Sequence, residues 1–172
     1  MWNEPKVVER QPQPYVAIKV LVTMQELGQV VPPLNDEVFS WLADHGAKPS
    51  GPPFWKYNNV IDMERQLEIE AGVAVEHSLP GDGRVLAGTL PGGSYATLVH
   101  TGHPNQLIDA TAALLDWGTT EGLAWDRFVG AEGEQWGARL EFYLTDPGDE
   151  PDMNNWETEL AFRVAASSTM DG

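Results

Sequence analysis

The sequence predicts an α+β fold made of a tandem duplication of a β-α-β-β unit, with antiparallel sheets, helices on one face and a central ligand cleft. Its 172 residues fit one domain at the usual ~100–200 residues per domain. Strand-type alternation and helix-type stripes follow each other twice in the same order. We place the first repeat at about 6–79, the second at about 84–164 and a polar tail at 165–172 of a single 1–172 domain.

The first repeat begins after a proline-spaced lead-in. Alternating apolar residues from 15 to 23 predict a strand. Pro32 and Pro33 open a predicted short helix that ends before Gly46, because apolar residues recur there at helical spacing: Leu34, Val38, Trp41 and Leu42. After a loop at 48–53, two more strands are predicted at 54–61 and 67–75.

The second repeat follows a turn at 80–83, which has two glycines around an aspartate. Strands are predicted at 84–90 and 95–101, a helix opened by Pro104, and strands at about 136–145 and 158–164. Helices would cover one face of each sheet, so we expect the ligand cleft on the other face.

Composition excludes several classes of protein. Ten Lys and Arg against 26 Asp and Glu give a net charge of −16, which repels phosphate backbones and anionic lipids, so we expect no direct nucleic-acid partner and no membrane association. The sequence has no cysteine, which excludes disulfides, thiolate metal sites and a cysteine nucleophile. No secretion signal is evident, so a cytoplasmic protein is expected.

Alternation along the strand at about 136–145 separates two faces. Trp136, Leu140 and Phe142 are predicted to face the core, whereas Glu141 and Tyr143 lie on the other face. Overlaying the two repeats matches Trp55 to Glu141 and Tyr57 to Tyr143. This overlay brings aromatic rings and one carboxylate to equivalent faces of the two units.

Several segments together resemble the GyrI-like effector-binding family over about residues 6–164. They are GPPF at 51–54, EAGVAV at 70–75, GTLPGGSYA at 88–96, HTG at 100–102 and LEFYLTDP at 140–147. The resemblance implies two repeated units around a pocket for bulky aromatic, often cationic, compounds. Similar proteins include effector domains of multidrug-responsive activators, standalone drug binders, a gyrase-inhibiting branch and hydrolases of cyclopropane genotoxins.

The resemblance implies that Glu141 is the central pocket carboxylate. We expect Trp55, Tyr57, Tyr95 and Tyr143 to surround it, which would raise its pKa by desolvation while a bound cation would favour its ionised form. Each good cation–π contact contributes about 0.5–2 kcal/mol, so several rings and one charge suffice for broad micromolar binding. The alternative is a solvated Glu141 on an open sheet face.

Other residues carry weaker signals. His100 and His103 lack a third ligand at a recognisable spacing, and no phosphate-binding loop follows Gly92 and Gly93, so we expect neither a metal nor a cofactor. Among the tryptophans, packing is predicted for Trp41, Trp117 and Trp136; Trp136 and Trp156 are candidates for the pocket rim or lid, and Trp2 and Trp125 receive no role.

Three functions remain open from the sequence. The first is a standalone receptor or sequestering protein for aromatic, preferably cationic, ligands, since only about 14 residues precede the first strong strand and leave no room for a helix-turn-helix. The second is a cofactor-independent hydrolase in which Glu141 is a catalytic general base. The third is a protein interaction such as gyrase inhibition. The oligomeric state is not indicated.

Overall fold

The computed structural model describes residues 1–62, 66–131 and 133–165. The α-helices are α1 (Met24–Asp44) and α2 (Leu107–Thr120). The strands are β1 (Lys6–Arg10), β2 (Gln13–Val22), β3 (Pro49–Asp62), β4 (Gln66–Val75), β5 (Val85–Leu90), β6 (Gly93–Thr101), β7 (Arg127–Gly130), β8 (Gly133–Trp136), β9 (Arg139–Tyr143) and β10 (Glu157–Arg163).

The strands form one ten-stranded sheet instead of the separate sheets that we predicted. Its main order is β1-β6-β10-β9-β3-β4-β2-β5, and the β7–β8 hairpin attaches to β3 through β8. The ladders are antiparallel. The sheet is continuous because β3 of the first half pairs directly with β9 of the second. This junction places the centre of the sheet between the two halves of the chain.

The sheet curls because its connections require it. Strands β1 and β2 are six places apart in the sheet order, about 29 Å in a flat sheet with strands ~4.8 Å apart. The short connection from Arg10 to Gln13 spans only about 11 Å when fully extended. The β5–β6 connection approaches the same corner, since a Cβ on Gly92 would lie 2.8 Å from the Pro12 side chain. The edges of the sheet therefore meet at this end.

Both helices pack on the same face of the sheet. Val38 of α1 and Leu114 of α2 belong to one buried cluster with Ile18, Ile69 and Phe162 of the strands. A second, smaller cluster on the opposite face contains Phe54, Tyr95, Leu140 and others inside the curl. We refer below to the helix face and the inner face of the sheet.

Helix α1 begins earlier than the sequence indicated. Thr23 caps it, since its backbone N–H donates to Glu26 and its hydroxyl accepts from the Glu26 backbone, a capping box that satisfies two terminal N–H groups. Pro32 and Pro33 lie inside the helix instead of opening it. Both prolines are exposed, so the carbonyls that they leave without a helical donor can be hydrated.

The second half of the chain departs most from its predicted pattern at residue 137. The predicted strand at about 136–145 is two strands, β8 and β9, separated at Gly137. A Cβ there would lie 1.8 Å from a carboxylate oxygen of Asp126, so the close approach requires glycine. The break changes the alternation, and Trp136 lies on the helix face against Phe162 instead of sharing a face with Leu140. Strand β1, which pairs with β6, was also missed.

Two further expectations concern the chain as a whole. Of the predicted tail at 165–172, only Ala165 lies within the described residues. No helix in the described ranges is long and apolar enough to cross a membrane.

Candidate functional site

The candidate site lies at the junction of β3 and β9. Trp55 is directly opposite Glu141 in this antiparallel ladder, and Leu160 of β10 flanks Glu141 on its other side. Directly opposed side chains on one face of a sheet have Cβ atoms about 4.5–5.5 Å apart. The two residues that the repeat overlay matched are therefore neighbours in space.

Glu141 is buried and held by two phenols. Only 7% of its surface is exposed. The Tyr143 hydroxyl donates to its Oε1 at 2.6 Å and the Tyr57 hydroxyl donates to the same atom at 3.1 Å. Hydrogen bonds to a carboxylate are stronger than those between neutral groups. The carboxylate thus has a fixed orientation, with solvent excluded from it.

Burial raises the pKa of Glu141 above its ordinary value, because a desolvated carboxylate is costly to ionise. The hydrogen bond from Tyr143, the nearby Arg139 charge and the hydrogen bond from Tyr57 act in the opposite direction without cancelling the effect of burial. Burial and the adjacent carboxylate also raise the pKa values of both tyrosines well above normal. The phenols therefore remain protonated donors.

Trp55 completes the aromatic group. Its ring meets the Tyr143 ring edge-on, with centroids 4.9 Å apart and planes at 64°, a favourable arrangement of aromatic pairs. Its indole N–H donates to Oδ1 of Asn35 in α1 at 2.8 Å. Four of the five predicted site residues, Trp55, Tyr57, Glu141 and Tyr143, thus lie together.

Asn35 was missed by the sequence analysis. It is 6% exposed, and its Nδ2 donates to the backbone carbonyls of Phe54 and Gly72 at 3.3 and 3.2 Å. One side chain therefore joins α1 to β3 and β4 and orients the Trp55 indole. A polar residue on the apolar stripe that contains Leu34 and Val38 was the available signal.

The sequence analysis assigned no role to Arg139. Its guanidinium carbon lies 5.4 Å from the centre of the Tyr57 ring, 5.3 Å from that of Trp136 and 5.0 Å from that of Phe162. The residue is 8% exposed. A cation therefore lies among three rings beside the candidate carboxylate.

Tyr95 does not join this group. It lies on the inner face, in the cluster of Leu140, and its hydroxyl donates to the Pro91 carbonyl at 2.6 Å. Leu140 and Glu141 are consecutive on β9 and face opposite sides of the sheet. Tyr95 instead lines an inner-face groove of about 340 Å³, next to Arg10.

Four of the predicted site residues lie on the face of the sheet that we did not expect. We predicted a cleft on the face without helices, yet Trp55 bonds to α1 and Tyr57 belongs to the helix-face cluster. The reason is the register: the apolar side chains of β9, Leu140 and Phe142, fill the inside of the curled sheet. Glu141 is consequently directed to the helix face.

A second buried carboxylate, Glu70, differs from Glu141 in having a cationic partner. It lies on the inner face, where Lys56 is 3.5 Å away and the Tyr15 hydroxyl donates at 2.6 Å. Asn58 donates to its other oxygen at 2.6 Å. Glu70 is therefore paired with a cation, whereas Glu141 has no ion pair with any described residue.

The remaining predicted residues have other surroundings. Trp41 and Trp117 pack against the helix-face cluster as expected, and Trp125, which had no role, is buried there too. The Trp156 indole donates to the backbone carbonyl of Glu150. His100 is fully buried, and no group of three or more potential metal-binding side chains occurs within the described ranges.

A family model for the GyrI-like small molecule binding domain matches residues 3–165. The chain belongs to the GyrI-like family. No curated protein matches the chain closely enough to inform its function. The family assignment confirms the resemblance that the sequence motifs indicated.

Solved structures share the fold of this GyrI-like domain. The EcmrR C-terminal domain has a TM-score of 0.74 and 18% identity, covering 95% of this chain and 98% of that one. In an EcmrR–DNA complex the match covers 96% of this chain but only 58% of the EcmrR chain.

Two further similar structures are a hydrolase and a protein with a bound ligand. A hydrolase from Listeria innocua has a TM-score of 0.63 and 14% identity, with coverages of 94% and 92%. SAV2435 bound to tetraphenylphosphonium has a TM-score of 0.64 and 12% identity, with coverages of 95% and 95%. At these identities the likeness establishes the fold alone.

Proposed function

We propose that this protein is a receptor or sequestering protein for aromatic, preferably cationic, small molecules, and that they bind beside Glu141. The observation that carries the proposal is the buried carboxylate whose two phenol donors and neighbouring indole form one connected group. Membership of a small-molecule-binding family supports it. We also infer the tandem duplication, because β2-α1-β3-β4 and β6-α2-β9-β10 occupy corresponding places on either side of the β3–β9 junction.

We expect cation binding because the ionised Glu141 carboxylate is destabilised when no ligand is bound beside it. An ionised carboxylate with little solvent is destabilised, and a cation close to it offsets this cost. Ring faces add about 0.5–2 kcal/mol per cation–π contact. Because neither force requires an exact hydrogen-bonding pattern, ligands of different shapes are expected to bind. The bound SAV2435 structure shows that one protein of this fold holds an aromatic cation.

The test is a dye-displacement titration with the cation N-methylquinolinium and its neutral isostere methylnaphthalene. We expect the cation to compete at least about tenfold better. In Glu141→Gln this preference should disappear, a loss of about 1.4 kcal/mol or more in cation binding, since each tenfold change in affinity corresponds to about 1.4 kcal/mol. Glu157→Gln is the matched control, since it removes an exposed carboxylate on β10.

The pH dependence of cation affinity tests the role of Glu141 independently. Protonation of Glu141 removes the attraction, so cation affinity should fall as the pH decreases through its raised pKa. Glu141→Gln should have a flat profile over the same range. Equal wild-type affinities for the two isosteres, together with no effect of Glu141→Gln, would contradict the proposal.

A hydrolase is the second candidate, favoured by the raised pKa of Glu141 and the Tyr143 hydroxyl 2.6 Å from it. As general base, the carboxylate would take a proton from water while the oxygen attacks a cyclopropane carbon. The ring C–C bond would break, its electron pair would move to a conjugated carbonyl, and the proton taken up by Glu141 would be returned to the resulting enolate, which regenerates the carboxylate.

This reaction is tested by incubating the protein with a cyclopropane-containing genotoxin and following the ring-opened product. Turnover that disappears in Glu141→Gln while ligand binding remains would establish catalysis. Absence of product across the pH range would leave the binding function.

A further inference from the structure

The guanidinium of Arg139, on the helix face of the sheet, is buried without a polar side-chain partner among the described residues. It is more than nine-tenths buried, yet within the described ranges no side-chain hydrogen bond or ion pair involves it. The other buried or half-buried arginines differ: Arg10 bonds to Glu159 at 2.8 Å and Arg163 bonds to Asp126 at 2.8 Å. Arg139 instead lies against three ring faces, and the described charged residues that act on it, Glu141, Glu134 and Arg127, do so without a direct contact.

Aromatic ring faces compensate the charge of a guanidinium but do not accept its hydrogen bonds. Cation–π contact compensates its charge, but the five N–H donors lie in the plane of the group and still require acceptors. No Arg139 nitrogen is among the fully buried side-chain atoms that lack a partner in the described residues, so these donors still reach solvent. Desolvation nevertheless lowers the pKa of Arg139. Three aromatic side chains thus hold a cation whose donors remain available.

Arg139 and Glu141 supply the positive and the negative charge of one site. They are two residues apart on β9 and therefore share a face, about 6.7 Å apart along the strand. Tyr57 lies between them, with its ring beside the guanidinium and its hydroxyl on the carboxylate. They stabilise each other's charged forms without forming a direct ion pair. The site therefore presents separate positive and negative ends.

We propose that the preferred ligand of this site is dipolar: an aromatic molecule with a cationic group that binds Glu141 and an anionic group that binds Arg139. This inference rests on the proposed function and narrows its ligand class. A simple cation neutralises Glu141, the nearest carboxylate on the same strand face as Arg139, and adds a second positive charge beside the guanidinium. A zwitterion supplies acceptors to the unused donors and leaves the buried charges balanced.

The experiment uses a rhodamine methyl ester, which is a cation, and the corresponding free acid, which is a zwitterion with the same fluorophore. Fluorescence anisotropy gives both affinities for the wild type, Arg139→Met, and the control Arg127→Met. Arg127 also lies beside the Trp136 ring, at 5.5 Å, but is exposed and paired with Glu134. Thermal unfolding checks that each variant folds.

The wild type should bind the free acid at least about tenfold more tightly than the ester. In Arg139→Met the order should reverse, because the ester loses a repulsive neighbour and the acid loses its partner; Arg127→Met should retain the wild-type order. Ester binding equal to or tighter than acid binding in the wild type would overturn the dipolar assignment while leaving the proposed function intact. If neither dye binds and neither quinolinium nor naphthalene competes, the proposed function itself fails.

Discussion

Replacing Asn35 by leucine tests whether one side chain positions both α1 and the Trp55 indole. The volume stays similar, but three hydrogen bonds of 2.8, 3.3 and 3.2 Å disappear. An ordinary bond contributes about 1 kcal/mol, and the half-buried indole N–H without a partner costs about 1 kcal/mol, the lower end of the range for a buried group. We therefore expect a loss of about 2–4 kcal/mol in the free energy of unfolding.

For a chain of this size each kcal/mol corresponds to about 2–4 °C in Tm, so the midpoint should fall by about 5–15 °C. Urea unfolding followed by tryptophan fluorescence gives the free energy directly. Affinity for methylnaphthalene should fall about 2- to 10-fold, because a misplaced Trp55 ring loses an aromatic contact of about 0.5–1.5 kcal/mol.

Asn35→Asp separates the two roles. An aspartate still accepts the indole N–H but no longer donates to the two carbonyls, so stability should fall while affinity for the neutral probe is largely retained. Asn154→Leu, at an exposed position, is the control. Unfolding curves of Asn35→Leu and wild type that agree within about 0.5 kcal/mol, the usual range for neutral surface changes, would refute the reasoning.

Three further substitutions test separate parts of the structure. Tyr143→Phe removes the 2.6 Å hydrogen bond to Glu141, which should raise the pKa of the carboxyl group further. Cation binding at neutral pH should then weaken about tenfold, measured by dye titration across pH. Tyr95→Phe should leave ligand affinity unchanged and cost about 1 kcal/mol in urea unfolding, since the phenol that it removes bonds to the Pro91 backbone carbonyl on the inner face. Gly72→Ala places a Cβ 2.6 Å from an aromatic ring of β3 and should lower the free energy of unfolding by about 1–3 kcal/mol, whereas Gly51→Ala, whose nearest atom is 3.8 Å away, should be close to neutral.

Local patterns predicted most of the elements. Alternation located β2, β4 and β6 because each is buried on at least one side. The N-terminal half of α1 was missed since prolines usually mark a helix start, whereas here they lie on an exposed side of the helix. The break at Gly137 depends on where Asp126 lies, and no neighbouring residue in the sequence indicates that.

The candidate site was predicted in part. Motif resemblance and the repeat overlay selected Trp55, Tyr57, Glu141 and Tyr143, which the structure brings together. Tyr95 was grouped with them because alternation within one strand gives no information about which face of a distant strand is shared. That relation depends on register and on how the sheet curls.

The sequence by itself determined the α+β class and selected Trp55, Tyr57, Glu141 and Tyr143, which the structure brings together, because periodicity and motifs are properties of neighbouring residues. Only the tertiary structure decided that Glu141 lies on the helix face of the sheet, that Asn35 holds Trp55 and that Arg139 lies among three rings. These contacts join residues far apart in the chain. Their geometry is set by the pairing of β3 with β9 and the closure of the sheet edges, which local sequence patterns do not specify.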